Sequence, residues 1–128
     1  MGLLARKEVD NLVYEIYITH LYKDKWVNTR FYFDIKENLE QVQEWMINFN
    51  LRLKNNRFQE LESHPYGTVC KVIIYNQNTC IPILEVQDKV ICHPKDQFSR
   101  KEGRRLSYNK VKQQVNLEHI EILDTLIK

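Results

Sequence analysis

Apolar and polar side chains alternate in two segments near the start of the chain. The first segment runs from residue 12 to 19 and the second from residue 26 to 35. A repeat of two is typical of a half-buried β-strand, because successive side chains point to opposite faces. The polar stretch Lys23-Asp24-Lys25 separates the segments and predicts a hairpin turn. We therefore expect two antiparallel strands here.

The apolar spacing changes at Leu39 to that of an amphipathic helix. Apolar residues then follow at intervals of three and four, at Leu39, Val42, Met46, Phe49 and Leu53. The start of this helix can be capped by Asp34 with Glu37, or by Asn38. The stretch 55–67 ends in His64-Pro65-Tyr66-Gly67 and is predicted to be a connection.

Three more short strands are predicted after this connection. They cover roughly residues 68–75, 79–85 and 89–92, with turns at Asn76-Gln77-Asn78 and at Gln87-Asp88. Pro82 has no N–H to donate, so the middle strand is expected to be an edge or irregular strand.

Two helices are predicted at the C-terminal end. Ser99 and Glu102 fit a capping box at the start of the first, and Asp96 is an alternative cap one turn earlier. Asn116 can cap the second, whose apolar stripe is Leu117, Ile120, Leu123 and Ile127. The order ββαβββαα predicts a single α+β domain over residues 1–128, with a small, mainly antiparallel sheet, an inserted amphipathic helix and two C-terminal helices.

The formal charge of +2 conceals a concentration of positive charge. Residues 99–112 hold six basic residues and one acidic residue, so this segment carries +5 and the remainder −3. No apolar run is long enough to span a membrane, and no secretory signal is visible, so we expect a cytosolic protein. The three cysteines, Cys70, Cys80 and Cys92, are expected to be buried, reduced thiols.

A helical wheel divides the basic residues of the first C-terminal helix into two groups. Arg100 and Arg104 lie on the side of Gly103, Ser107 and Val111, where another surface can come close. Because a buried guanidinium needs a partner, the two arginines predict either an anionic ligand, such as a phosphate, or ion pairs within the fold. The candidate partners for those ion pairs are Asp34, Glu37 and Asp124.

Aromatic and basic side chains lie close to these arginines in the sequence. Phe98 and Tyr108 are candidates for stacking on a base, with core packing as the alternative, and His93 and Lys95 are candidates for charge at the rim. The N-terminus of the helix adds backbone N–H donors for an anion. Together they predict a site for a nucleotide-type ligand.

Catalytic and metal sites are not expected. Cys92 and His93 are neighbours on a strand and point to opposite faces, so they do not form a nucleophile and its base. The spacing of the three cysteines matches no zinc site, and the internal glycines, Gly67 and Gly103, are too far apart for a phosphate-binding loop. We therefore expect a protein that is not an enzyme and has no metal or cofactor.

The segment from Ile91 to Val111 resembles a motif of small phage-encoded proteins that include the Thoeris anti-defence sponges. The motif runs approximately C-H-P-x-D-x-F-x-R-x-x-G-R, and its places are filled here by Cys92, His93, Pro94, Asp96, Phe98, Arg100, Gly103 and Arg104. Proteins of this type oligomerise and sequester cyclic ADP-ribose signals or cyclic oligonucleotides without cleaving them. The resemblance implies a homo-oligomeric sponge in which Arg100 and Arg104 contact the phosphates of the ligand.

Two other functions remain open at this point. The opposite helix face, with Lys101, Arg105 and Lys112, can be a solvated face or can bind a host protein, such as a CRISPR nuclease, or nucleic acid. The apolar side of the last helix, Leu117 to Ile127, can be an assembly interface.

Overall fold

The structure is a computed structural model that describes residues 2–29, 39–54, 57–93 and 95–127. It is a mixed α+β protein with a mainly antiparallel sheet and two C-terminal helices, which confirms the predicted fold class. The elements are β1 (Gly2–Val9), β2 (Leu12–Asn28), α1 (Leu39–Asn48), β3 (Leu51–Lys54), β4 (Arg57–Asn76), β5 (Pro82–Ile91), α2 (Arg100–Lys112) and α3 (Leu117–Ile127).

The sheet is organised around the 20-residue strand β4. Its strand order is β1-β2-β4-β3, and β5 also pairs with β4. β2 is hydrogen-bonded to β4, and the Asn11 carbonyl accepts from the Gln77 N–H while the Phe58 carbonyl accepts from the Thr29 N–H. β3 pairs with residues 57–60 of β4, and β5 pairs with residues 67–75.

The chain divides into two compact units, residues 1–21 with 65–128, and residues 22–64. In the first unit, α2 and α3 cover one face of the sheet. β2 and β4 present alternate residues to this core, as the period of two predicts for β2. The buried core residues are Tyr14, Ile16, Cys70, Val72, Ile74, Tyr108, Val111, Val115 and Leu123.

The second unit contains α1 and β3. In this unit Thr29 Oγ1 donates to the Phe58 carbonyl, and the Arg52 guanidinium lies 4.4 Å from the centre of the Trp26 ring. The predicted caps Asp34, Glu37 and Asn38 lie outside the described residues, as does the end of the predicted second strand.

The predicted boundaries differ from the structure at four places, of which three are turns or helix ends. The hairpin turn predicted at Lys23-Asp24-Lys25 is wrong, because β2 continues through these residues to Asn28. The helix predicted to reach Leu53 ends at Asn48, since Asn50 has a φ of 50° and the next residues pair with β4 as β3. Gln87-Asp88 lies inside β5 instead of forming a turn.

The connection predicted for residues 55–67 is also wrong, because β4 begins at Arg57 and passes through Pro65.

Both C-terminal helices are confirmed. α2 starts at the predicted cap, where the Ser99 side chain accepts from the Glu102 N–H. The Glu102 carboxylate binds Arg105 at 2.7 Å and so is engaged elsewhere than in a capping box. No helix in the described part of the chain is long and apolar enough to cross a membrane.

Candidate functional site

The face that α2 packs on the sheet is the one that the helical wheel indicates. Gly103, Ser107 and Val111 are buried there, and Tyr108 is buried beside them. The two arginines lie at the margin of this face: Arg104 is half-buried and Arg100 is exposed. Neither arginine is therefore buried in the packed interface between α2 and the sheet.

A cavity of about 370 Å³ opens between the start of α2 and the end of β5. Phe98 and His93 line it, together with Asp96 and Glu102. Among the described residues that line it, none is a lysine or an arginine. We call it the Phe98 cavity, and its charge makes it a poor site for an anion.

A histidine that the sequence analysis missed lies against the same elements. His20 of β2 places Nδ1 2.9 Å from Thr68 Oγ1, and its ring meets the Phe98 ring edge-on at 5.5 Å. Burial lowers the pKa of His20, and the positive charges of Arg100 and Arg104 lower it further. No local sequence pattern predicts the contact between His20 and Thr68, because the two residues are 48 positions apart in the chain.

A second cavity, of about 730 Å³, lies along α2 and α3 and is lined mainly by basic residues. We call it the basic groove. Its lining residues are Lys101, Arg104, Arg105, Tyr108, Asn109, Lys112, Asp124 and Ile127. The groove thus collects four cationic side chains and one carboxylate.

Ion pairs neutralise part of this charge. Lys112 Nζ lies 3.2 Å from Asp124 Oδ1, and the same oxygen accepts from the Tyr108 hydroxyl at 2.8 Å. Arg105 is paired with Glu102. Within the described residues, Lys101 and Arg104 have no carboxylate within ion-pairing distance. The net positive charge of the groove is therefore carried by these two side chains.

The structure divides the predicted ligand site between the two cavities. Phe98 and His93 line the Phe98 cavity, whereas Arg104 and Tyr108 line the basic groove. Arg100 and Lys95 are exposed and belong to the lining of neither. The two cavities lie on different sides of α2. Ser99, Glu102 and Leu106 line the Phe98 cavity beside β5, whereas Arg104 and Tyr108 line the basic groove beside α3.

The contacts of Tyr108 and Asp124 bear on the alternatives of core packing and of ion pairs within the fold. Tyr108 is only 3% exposed, and burial together with Asp124 raises the pKa of its hydroxyl, so most of the ring packs in the core. Asp124, one of the predicted partners of the arginines, binds Lys112 instead. Asp34 and Glu37 lie outside the described residues.

The three cysteines are free but differ in exposure. Cys70 is buried, as expected, and burial raises the pKa of its thiol to about 12. The expectation of burial is wrong for Cys80, which is exposed, and Cys92 is half-buried. The Cys92 thiol donates weakly to the carbonyl oxygens of His93 and Asp96, at 3.6 and 3.5 Å. No group of three potential metal ligands occurs among the residues with described positions.

The chain was compared with protein families, curated proteins and solved structures. No protein-family model, curated protein or solved structure matches the chain.

Proposed function

We propose that the protein binds and sequesters a small, phosphate-bearing ligand in the basic groove, and that it acts as a sponge for a nucleotide-type signal. The observation that carries this proposal is the convergence of four cationic residues on one cavity in which, among the described lining residues, Asp124 alone is acidic. Such a charge distribution favours an anion over a neutral or cationic ligand.

The size and lining of the groove fit a nucleotide. A volume of about 730 Å³ lies within the range of small-molecule sites. Arg104 and Arg105 offer guanidiniums, whose planar donors match phosphate oxygens, and Lys101 adds a point charge. Ile127 supplies apolar surface against which a base or ribose can rest.

The ligand class rests on the resemblance of the α2 segment to the sponge motif. Arg104 occupies a motif position and also lines the groove. Arg100, the other motif arginine, lies close enough to His20 to lower its pKa and so contributes positive potential on the same flank of α2. A cyclic ADP-ribose isomer or a cyclic oligonucleotide, held in the host cytoplasm, is the ligand that this combination favours.

The contacts of Asp124 support sequestration without cleavage as part of this proposal. Among the described residues that line the groove, Asp124 is the one acidic residue, and both Tyr108 and Lys112 engage its carboxylate. It is therefore poorly placed to act as a general base on a bound phosphodiester.

Isothermal titration with cyclic ADP-ribose isomers and cyclic oligonucleotides tests the proposal. One ligand should bind, and Arg104→Ala should weaken it at least tenfold. The matched control is Arg6→Ala, which removes the same charge from an exposed ion pair with Glu8 on β1. The ligand recovered after denaturation should be intact. Absence of binding by every ligand, or recovery of a cleaved product, would overturn the proposal.

A second candidate function is favoured by the exposure of Lys101 and Arg105. An exposed basic surface can bind nucleic acid or an acidic patch on a host protein. Nucleic-acid binding should weaken steeply as the salt concentration rises, and Lys101→Glu with Arg105→Glu should abolish it. Arg104→Ala should then have a smaller effect than the double charge reversal, whereas the sponge predicts that Arg104 dominates.

A further inference from the structure

The strand β5 has one edge without a strand partner among the described residues. Its inner edge pairs with β4, and β2 occupies the opposite edge of β4. The Cys92 N–H donates to the Tyr66 carbonyl, which fixes the alternation of the ladder. The backbone groups of Glu85, Gln87, Lys89 and Ile91 consequently point away from β4, towards the outer edge.

The side chains of these residues share one face. Leu84 and Val86 pack against the core, so the residues that alternate with them from Glu85 onwards face away from the helices. These outward residues are Glu85, Gln87, Lys89 and Ile91. Ile83, at the register irregularity that precedes Leu84 in β5, is exposed as they are. Ile83 and Ile91 leave 54% and 55% of their surface in solvent. An exposed edge strand of this length is a template for pairing with another strand.

The order of these five residues is self-complementary about Gln87. In an antiparallel pair of two β5 strands centred on Gln87, Ile83 of one copy lies opposite Ile91 of the other. Glu85 likewise lies opposite Lys89. The pair thus contains two ion pairs and two apolar pairs, and like charges never meet. Cross-strand pairs of this kind stabilise an antiparallel ladder.

We propose that a second copy of this chain docks on β5, edge to edge and antiparallel, with a two-fold axis at Gln87. The sheet then continues from one copy into the next, and the same surface serves both copies, as two-fold symmetry requires. Pro82, which has no N–H, falls just outside the paired segment. This interface goes beyond the proposed ligand site and does not depend on it.

Two hydrogen bonds at Lys89 on the outer edge of β5 can be replaced by hydrogen bonds to a second copy. Lys110 of α2 donates to the Lys89 carbonyl at 3.1 Å, and the Asp88 carboxylate accepts from the Lys89 N–H at 2.8 Å. Lys110 is exposed, so it can turn away. In the paired state the Lys89 carbonyl accepts from the Glu85 N–H of the second copy, and the Lys89 N–H donates to the Glu85 carbonyl of that copy.

α2 supplies an additional apolar contact beside this edge. Leu106 is 42% exposed and lines the Phe98 cavity together with Val90 and Ile91 of β5. Leu106 therefore lies on the side of α2 that a second copy would approach. Burial of this leucine adds apolar contact to the backbone ladder.

Sedimentation equilibrium of the full chain, over a range of protein concentrations, tests the interface by charge reversal. The wild type should be a dimer. Lys89→Glu and Glu85→Lys each place like charges opposite one another twice per dimer, so each should weaken association about tenfold or more. The double variant carrying both substitutions restores opposite charges and should restore association. Because Glu85 also pairs with Lys71 at 2.8 Å, Lys71→Ala serves as the control for loss of that contact.

A second variant tests the backbone ladder. Gln87→Pro removes an N–H that points away from β4, so the fold should persist by circular dichroism while the dimer dissociates. A monomeric wild type at about 0.1 mM, above the ordinary micromolar range for weak specific dimers, would overturn the proposal. So would a dimer that is unaffected by the single charge reversals or by Gln87→Pro, or a double variant that associates no better than the single variants.

Discussion

Gly103 of α2 lies so close to Thr68 of β4 that a Cβ added to the glycine would stand 2.2 Å from Thr68 Oγ1. Thr68 is fully buried and its hydroxyl is bonded to His20, so it cannot move aside easily. The absence of a side chain at Gly103 therefore sets the distance between α2 and the sheet. That distance in turn positions the arginine flank of α2 near His20.

Gly103→Ala should consequently destabilise the protein. Overpacking of a buried contact costs about 1–3 kcal/mol, and the gain in helix propensity of about 1 kcal/mol offsets only part of it. We expect a net loss of up to about 2 kcal/mol in the free energy of unfolding, measured by urea denaturation. The control is Gly2→Ala, whose Cβ would meet only the Ile18 carbonyl at 3.4 Å. Equal stability of Gly103→Ala and the wild type would contradict the close packing.

The stability of the protein should decrease as the pH falls below about 6.5, the usual pKa of histidine, in part because of His20. The pKa of His20 is lowered in the folded state by burial and by two arginines, so the unfolded chain binds a proton more readily. The stability that neutral His20 contributes is fully present above the unfolded pKa. It is lost as the pH falls from the unfolded pKa through the lower pKa of the folded state.

Urea denaturation between pH 5 and 7.5 should therefore show a smaller slope of stability against pH for His20→Gln than for the wild type. The Arg104→Ala variant tests the electrostatic cause, because removal of this charge should raise the pKa of His20, as followed by NMR of the imidazole protons. An identical pH slope in His20→Gln and the wild type would show that the lowered pKa of His20 does not contribute to the pH dependence of stability.

The three thiols should react at different rates with a disulfide reagent. Cys80 is exposed and should react first, whereas the buried Cys70, with its pKa raised to about 12, should react only when the chain opens. Cys80→Ser should remove the fast phase, and Cys70→Ser should leave it unchanged. A fast phase that persists in Cys80→Ser would place the reactive thiol elsewhere.

The sequence predicts those features that depend on nearby residues. The Ser99 cap, the packed face of α2 and the helix that follows it depend on residues within a turn or two of one another, and the structure has all of them. The fold class follows from the same local patterns. The turn at Lys23-Asp24-Lys25 fails because β2 is extended by pairing along β4, which no local signal reports.

The ligand site shows the same limit. The helix face of Arg104 predicts that this side chain faces another surface, and Arg104 does line a cavity. The cavity, however, takes its shape from α3, and the pairing of Asp124 with Lys112 spans 12 positions in the chain. The separation of Phe98 from Arg104 also follows from three-dimensional packing, because α2 stands between their cavities.

Asp124→Asn should strengthen binding of an anionic ligand in the basic groove. The substitution removes the only acidic lining residue and releases Lys112, while an amide oxygen at this position can still accept from the Tyr108 hydroxyl. Since a single charge near a protein surface contributes on the order of 1 kcal/mol at this range, affinity should rise about threefold to tenfold.

Ligand titrations of Asp124→Asn and Arg104→Ala measure the gain and the loss of affinity that follow from removing a negative or a positive charge in the basic groove. The two variants should change affinity in opposite senses, and both changes should shrink as the salt concentration rises. Glu121→Gln on the exposed face of α3 is the matched control, because it removes one negative charge from the same helix outside the groove lining. If Glu121→Gln improved affinity as much as Asp124→Asn, net charge rather than the groove would govern binding.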